Sequence, residues 1–198
     1  MKEFSSFFFV LILGTIFYLY LENKASEVTY VKSNVDNKEY LVRNVLDKQK
    51  AANLLGNINN NLLSIVNYLS ENKNIEKFKN HKEDIERLVN NFNSGSISES
   101  SPNNKYTSYS INKGEKIVFC LRSKDSKSEI IDLNTIMFVA IHELAHLMTK
   151  SIGHKPEFWE NMKFLLEIGI ELGVYTKQDF AKNPVKYCGT KITDTPLN

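Results

Sequence analysis

The run His142-Glu143-Leu144-Ala145-His146 follows the apolar stretch Ile136-Met137-Phe138-Val139-Ala140-Ile141, and no other feature constrains this chain as much. Six consecutive apolar residues leading into the motif call for a buried helix. Two imidazoles and a carboxylate buried without partners would cost several kcal/mol, on the order of 2–7 for each polar group, and a metal ion removes that cost. His142 and His146 stand four residues apart, so their rings project from one helix face a single turn from each other. That spacing lets two ring nitrogens reach one tetrahedral Zn²⁺ at about 2.0–2.1 Å. Glu143, next to the first ring, is placed to meet a water on the metal and act as general base. The pattern HExxH therefore carries a mechanism, metal-assisted hydrolysis of an amide.

A hydrolytic zinc site takes three protein ligands and leaves its fourth position open. His154 is the expected third ligand. It follows Gly153, whose free backbone permits a sharp return after the helix, and three of the four histidines in the chain fall between 142 and 154. The longer pattern HExxHxxGxxH would place a histidine at 152, where this chain has Ile152, so the metzincin arrangement is excluded. Glu167 and Glu171, on the following helix, are the alternatives to His154. His81 lies in the charged run KNHKED and reads as a solvent-exposed residue.

Toward the N-terminus, residues 4–21 carry no charge and are apolar all round. At about 1.5 Å rise per residue the run approaches the ~30 Å of a bilayer core. Lys24-Ala25-Ser26 is a poor cleavage site, so the reading is an uncleaved transmembrane anchor over 1–24. The chain then becomes a single-pass membrane protein, of a virion or an internal membrane, with residues 25–41 as a juxtamembrane spacer or short strand. Residues 42–198 form the expected soluble domain. Apolar residues at helical spacing predict one helix over 42–72, with a break near Gly56, and an antiparallel partner over 74–92. The Ser- and Asn-rich stretch 93–105 reads as a loop. Short β runs at 106–111 and 115–122 flank Asn112-Lys113-Gly114, a hairpin turn. Asp132 or Asn134 caps a helix ending near Lys150, and Pro156 opens another that runs to Gly173.

A net charge of +2 supplies no basic field for nucleic acid, so no nucleic-acid partner is expected. Cys120 and Cys188 match no CxxC pattern; a single disulfide between them is left open, and two reduced, partly buried thiols are the preferred reading. A cysteine hydrolase built on Cys188 is the weakest alternative, because no helix follows to lower the thiol pKa. Tyr175 and Tyr187 are candidates for stabilising an oxyanion, and the sequence favours neither.

The stretch HELAHLMTKSIGHKPEFW at 142–159, with Phe158 and Trp159 as an aromatic pair, resembles the WLM and SprT-like zinc peptidases. Over NKGEKIVFCLR (112–122), IDLNTIMFVAIHELAH (131–146) and VKYCGTKI (185–192), the chain is similar to WLM-domain metallopeptidases of nucleocytoplasmic large DNA viruses. The resemblance implies an α+β, zincin-like minimal metallopeptidase domain of helices plus a small antiparallel sheet. It also implies one Zn²⁺ per chain held by His142, His146 and His154, with Glu143 as general base. A protein or peptide substrate would lie along a strand edge at 119–122. The connection from His146 to His154 is longer than in those families. Their role in cutting DNA-crosslinked proteins is not carried over, chiefly because this chain is read as carrying a membrane anchor, and also because it shows no basic DNA-binding tail. The competing function is a virion or membrane assembly protein that keeps zinc as a structural clip.

Overall fold

The computed structural model describes the backbone of residues 2–25, 27–102, 104–125 and 127–198, with side chains at 8–21, 27–102, 104–125 and 127–198. The chain opens with helix α1 (Lys2–Ala25) and a hairpin of β1 (Val28–Lys32) and β2 (Glu39–Arg43). Helix α2 (Lys48–Asn72), a 3-10 turn at Glu76–His81 and α3 (Lys82–Asn91) follow. Then come β3 (Ile97–Glu99), β4 (Ser108–Ile111), β5 (Lys116–Phe119), α4 (Leu133–Met148), α5 (Pro156–Glu171), β6 (Val185–Tyr187) and β7 (Thr190–Ile192).

No helix among the described residues is long and apolar enough to cross a membrane. This overturns the anchor expected at 4–21 and the single-pass membrane location drawn from it. Among the described side chains of α1, Gly14, Thr15, Tyr18 and Tyr20 dilute its hydropathy. The side chains at 4–7 and the Lys24-Ala25-Ser26 site lie outside the described residues.

Beyond α1 the architecture is helices around a small sheet. α4 is the central helix, with Ile136, Met137, Ala140, Ile141, Leu144, Ala145, Leu147 and Met148 all fully buried. α2, α3 and α5 pack around it. Of the two readings for 25–41, spacer or short strand, the strand is found: the β1–β2 hairpin joins the core, burying Tyr40 and Val42. The predicted helix start at Val42 is therefore six residues early, since Val42 alternates inward on a strand. Nor does Gly56 break α2. A Cβ there would run into Ser33 Oγ, so the glycine admits the hairpin loop against an unbroken helix.

The sheet has order β3-β5-β4 and is mixed, not antiparallel as expected: β4 runs antiparallel to β5, and β3 parallel to it. Strand β3 lies inside the stretch read as a loop. It is drawn into order by the burial of Ile97 and by Glu99, whose carboxylate meets Arg122 Nε at 2.7 Å and the Arg43 amide at 2.7 Å. The guanidinium of Arg122 also binds both oxygens of Asp47, so one buried arginine ties β5, β3 and the start of α2 together. Cys120 and Cys188 form a disulfide, correcting the expectation of free thiols. It joins the end of β5 to the β6–β7 hairpin, a pairing that sequence spacing cannot reveal.

Candidate functional site

The site is assembled on α4 and the loop that follows it. Asp132 accepts the Thr135 amide at 2.9 Å and is the N-cap, while Asn134 exchanges two hydrogen bonds with the backbone of Thr176. His142 and His146 emerge one turn apart on a half-exposed face, and Glu143 between them is buried. The helix ends at Met148, where side chains from α3 and from the 112–114 turn satisfy the carbonyls at and just past its end. Asn91 donates to Leu147 O, Arg87 to Met148 O, and Lys113 to Thr149 O and Lys150 O. Gly153, at φ +81°, then turns the chain back, as its free backbone suggested. Glu157 accepts the amides of Lys150 and Ser151, and the Trp159 indole donates to His154 O at 3.1 Å. The loop is thus tied down on both sides of His154.

These contacts bring His142, His146 and His154 together, with ligand nitrogens all within 4.8 Å of one another. The Nε2 atoms of His142 and His154 are 3.1 Å apart. Two nitrogens bound to one tetrahedral ion at 2.0–2.1 Å would be separated by about 3.3 Å. The triad therefore has the chemistry and the spacing to hold such an ion. Phe158 packs under all three rings, with centroids 4.9, 4.4 and 4.7 Å from those of His142, His146 and His154. Burial, reinforced by the neighbouring imidazoles, holds His142 down to about 3, and burial likewise holds His146 down to about 4. Both rings are accordingly neutral at physiological pH, with lone pairs free for a cation. Burial raises Glu143 to about 7, opposed by a hydrogen bond from the Ser110 backbone.

A groove of about 630 Å³ opens over the triad, between α4 on one side and β4 and the β6–β7 hairpin on the other. Cys120 N donates to Thr107 O, so by antiparallel alternation Thr107, Tyr109 and Ile111 turn their backbone toward β5. Ser108 and Ser110 turn theirs away, into the groove. The strand edge facing the site is therefore β4. The edge expected at 119–122 is not free there, because β5 is the central strand, paired on both sides.

The other candidates fall elsewhere. Glu167 is exposed, and Glu171 is held by Lys77 at 2.7 Å and Tyr68 at 2.9 Å. His81 is half-buried instead of exposed, with its ring stacked on Phe164 at 4.1 Å. Cys188 is in the disulfide and has no thiol to act as nucleophile. Tyr175 backs Phe138 away from the triad, whereas Tyr187 lines the groove and bonds Ser108 Oγ at 2.7 Å and Cys120 O at 2.9 Å. Sequence reasoning did not find Ser110, Lys113 or Arg87. Lys113 had a visible signal, since its turn precedes a strand, but its target carbonyls lie 36 and 37 residues away.

Comparison with known proteins places this site in a family. An uncharacterized protein of Acanthamoeba polyphaga mimivirus is 38% identical over 188 residues, covering 95% of this chain and 93% of that protein. Uncharacterized proteins of Invertebrate iridescent viruses 6 and 3 are 36% and 42% identical over 83 residues. Each match covers 41% of this chain and 44% or 48% of the relative. Wss1 from Saccharomyces cerevisiae, a solved structure, aligns with a TM-score of 0.46 at 21% identity, over 65% of this chain and 83% of that one. The family model for the WLM domain matches residues 71–196, a span that contains the whole histidine triad, Glu143 and Phe158. With relatives in large DNA viruses and that match over more than half its length, the chain belongs to the WLM domain family.

Proposed function

We propose that the chain is a zinc-dependent peptidase with a zincin-like catalytic domain, in which His142, His146 and His154 hold one Zn²⁺ and Glu143 is the general base. The observation that carries the reading is three imidazoles converging beside a buried carboxylate, under a groove bordered by the β4 edge. Membership of the WLM domain family supports it. Bound zinc would supply Lewis-acid polarisation of a carbonyl and an acidified water. Glu143 accepts the proton of the attacking water on its carboxylate and returns it to the leaving amine. Its burial beside the triad keeps the proton within the groove between the two transfers. The outward backbone of Ser108 and the carbonyl of Ser110, whose amide is engaged by Glu143, offer hydrogen bonds to an extended peptide, fixing the scissile amide over the triad. Phe158 and the tied-down loop keep the three rings from reorienting. We take residues 28–198 as the unit that does this work, since the β1–β2 hairpin shares its core.

Three protein donors leave a tetrahedral ion one open position, which favours a catalytic site over a structural clip. The test uses the full-length chain. Trp159, the single tryptophan, stacks 5.6 Å from His154, so its emission reports zinc loading. Wild-type protein should bind about one Zn²⁺ and cleave members of a peptide library. Glu143→Gln should keep the zinc and lose cleavage by about two orders of magnitude or more. Unchanged cleavage by Glu143→Gln, or no zinc bound by folded protein that has never met a chelator, would overturn the reading.

A further inference from the structure

The groove is chemically lopsided. At the end nearer the C-terminus of α4 stand the histidines and Lys113. The other end is walled by Phe138 and Val139 on α4 and by Tyr187, Thr190 and Ile192 on the β6–β7 hairpin. Phe138 lies one helical turn before His142, and Val139 one turn before Glu143, so this end begins about 5 Å from the triad. The walls just named carry no charge, and Glu143 faces Tyr187 where this end meets the triad. The polar groups of these walls are already satisfied within the protein. The Tyr187 hydroxyl bonds Cys120 O and Ser108 Oγ, and Thr190 Oγ1 donates to Tyr187 O at 2.9 Å. A side chain entering here meets apolar walls, and the outward backbone of Ser108 is left to the substrate's main chain.

The walls are also held in place. Phe138 is backed by Phe180 at 4.7 Å and Tyr175 at 6.1 Å. The hairpin is pinned by the Cys120–Cys188 disulfide. A preformed, self-satisfied apolar pocket discriminates strongly against charge, because a buried charge without a partner forfeits its hydration.

Resting on the peptidase reading, we infer that this end of the groove is a specificity subsite for a large aliphatic or aromatic side chain of the substrate. The direction of β4 assigns the position. β4 starts at Ser108, beside Tyr187, and runs toward the 112–114 turn, where Lys113 reaches the C-terminal end of α4. A peptide pairing antiparallel to β4 runs the opposite way, so its C-terminal half passes the apolar end. The selected residue is the one immediately following the scissile bond, and Ile192 and Val139 are the residues that select it.

The experiment uses the full-length zinc-loaded chain and fluorescein-labelled Gly/Ser octapeptides with one varied position: Leu, Phe, Ala, Asp or Lys. Mass spectrometry locates the cut. Leu or Phe after the bond should exceed Ala about tenfold in kcat/KM and Asp about a hundredfold or more. Ile192→Asp should weaken the Leu peptide about tenfold and favour the Lys peptide. The same peptides are titrated by anisotropy into Glu143→Gln protein, where binding is read without turnover. Cleavage with no preference, or with preference confined to the residue before the bond, overturns the subsite while leaving the peptidase reading intact. If nothing is cleaved, the peptidase reading fails. The subsite then stands or falls on whether Glu143→Gln protein binds Leu and Phe peptides about tenfold more tightly than Asp peptides.

Discussion

The disulfide offers the sharpest quantitative test of the fold. Cys120 and Cys188 are separated by 68 residues, and the loop they close contains α4, α5 and the whole triad. Cross-linking a loop of this size removes denatured-state entropy worth about 4 kcal/mol at 25 °C in the chain-entropy treatment. For a chain of this length each kcal/mol shifts Tm by roughly 2–4 °C, so loss of the bond should lower Tm by about 8–16 °C. The perturbation is Cys120→Ser with Cys188→Ser, compared with reduction of the wild-type protein by a phosphine. Because both cysteines are at most 5% exposed, the two serines will also lose some packing, so reduction is the cleaner arm. The assay is urea and thermal denaturation of oxidised and reduced protein, both stripped of metal by a chelator. Thiol state is read by alkylation and mass spectrometry. Fully reduced protein that melts within about 2 °C of the oxidised form would refute the reasoning. So would native, unreduced protein whose two thiols both alkylate.

Other consequences can be checked in the same way. Phe158→Ala removes a fully buried ring from beneath all three imidazoles and should cost about 3–5 kcal/mol. It should also weaken zinc binding in a competition titration with a chromophoric chelator, whereas a purely structural role would leave that affinity unchanged. Gly114→Ala puts a Cβ into Asn91 O at a φ of +115°, so the hairpin tip must lift off α3 and α4. A loss of about 1–3 kcal/mol in urea denaturation is expected, and a neutral result would show that the tip is not seated. Hydrogen bonding from Arg122 holds Asp47 below the usual carboxylate range. A depressed folded-state pKa contributes stability that is complete above the unfolded value of about 3.9 and is lost as pH falls through the lower folded value. The stability gap between wild type and Asp47→Asn, measured on chelated protein, should therefore shrink as pH is lowered from about 5 toward 3.

What could be read from the chain divides by the range of the interactions involved. The HELAH helix, its Asp132 cap, the turn at Gly153, the Pro156 start of α5 and the 112–114 hairpin turn rest on contacts within a few residues. In each, side-chain type and spacing state the geometry directly. The triad follows from that local logic, since a helical i,i+4 pair and a histidine just after the next turn have few other ways to meet. The same logic failed where long-range pairing decides. Ile97 and Glu99 sit among serines and asparagines and become a strand only because β5 and Arg122 receive them. Gly56 signals a break until Ser33 arrives against it. The apolar run at 4–21 read as a membrane span on composition, yet no helix among the described residues is long and apolar enough to be one.

By itself, then, the sequence picked out the residues proposed to carry the chemistry: His142, Glu143, His146 and His154 on a buried helix and its following turn. Tertiary structure alone decided what faces them. It made β4, not the end of β5, the free edge, and brought Cys188 to Cys120. It also set Tyr187, Thr190 and Ile192 opposite Phe138 and Val139. The physical reason is that a helix states its own geometry through neighbouring residues, whereas a groove exists only between elements distant in the chain. Their relative placement is fixed by burial and pairing over tens of residues, and no local pattern encodes it.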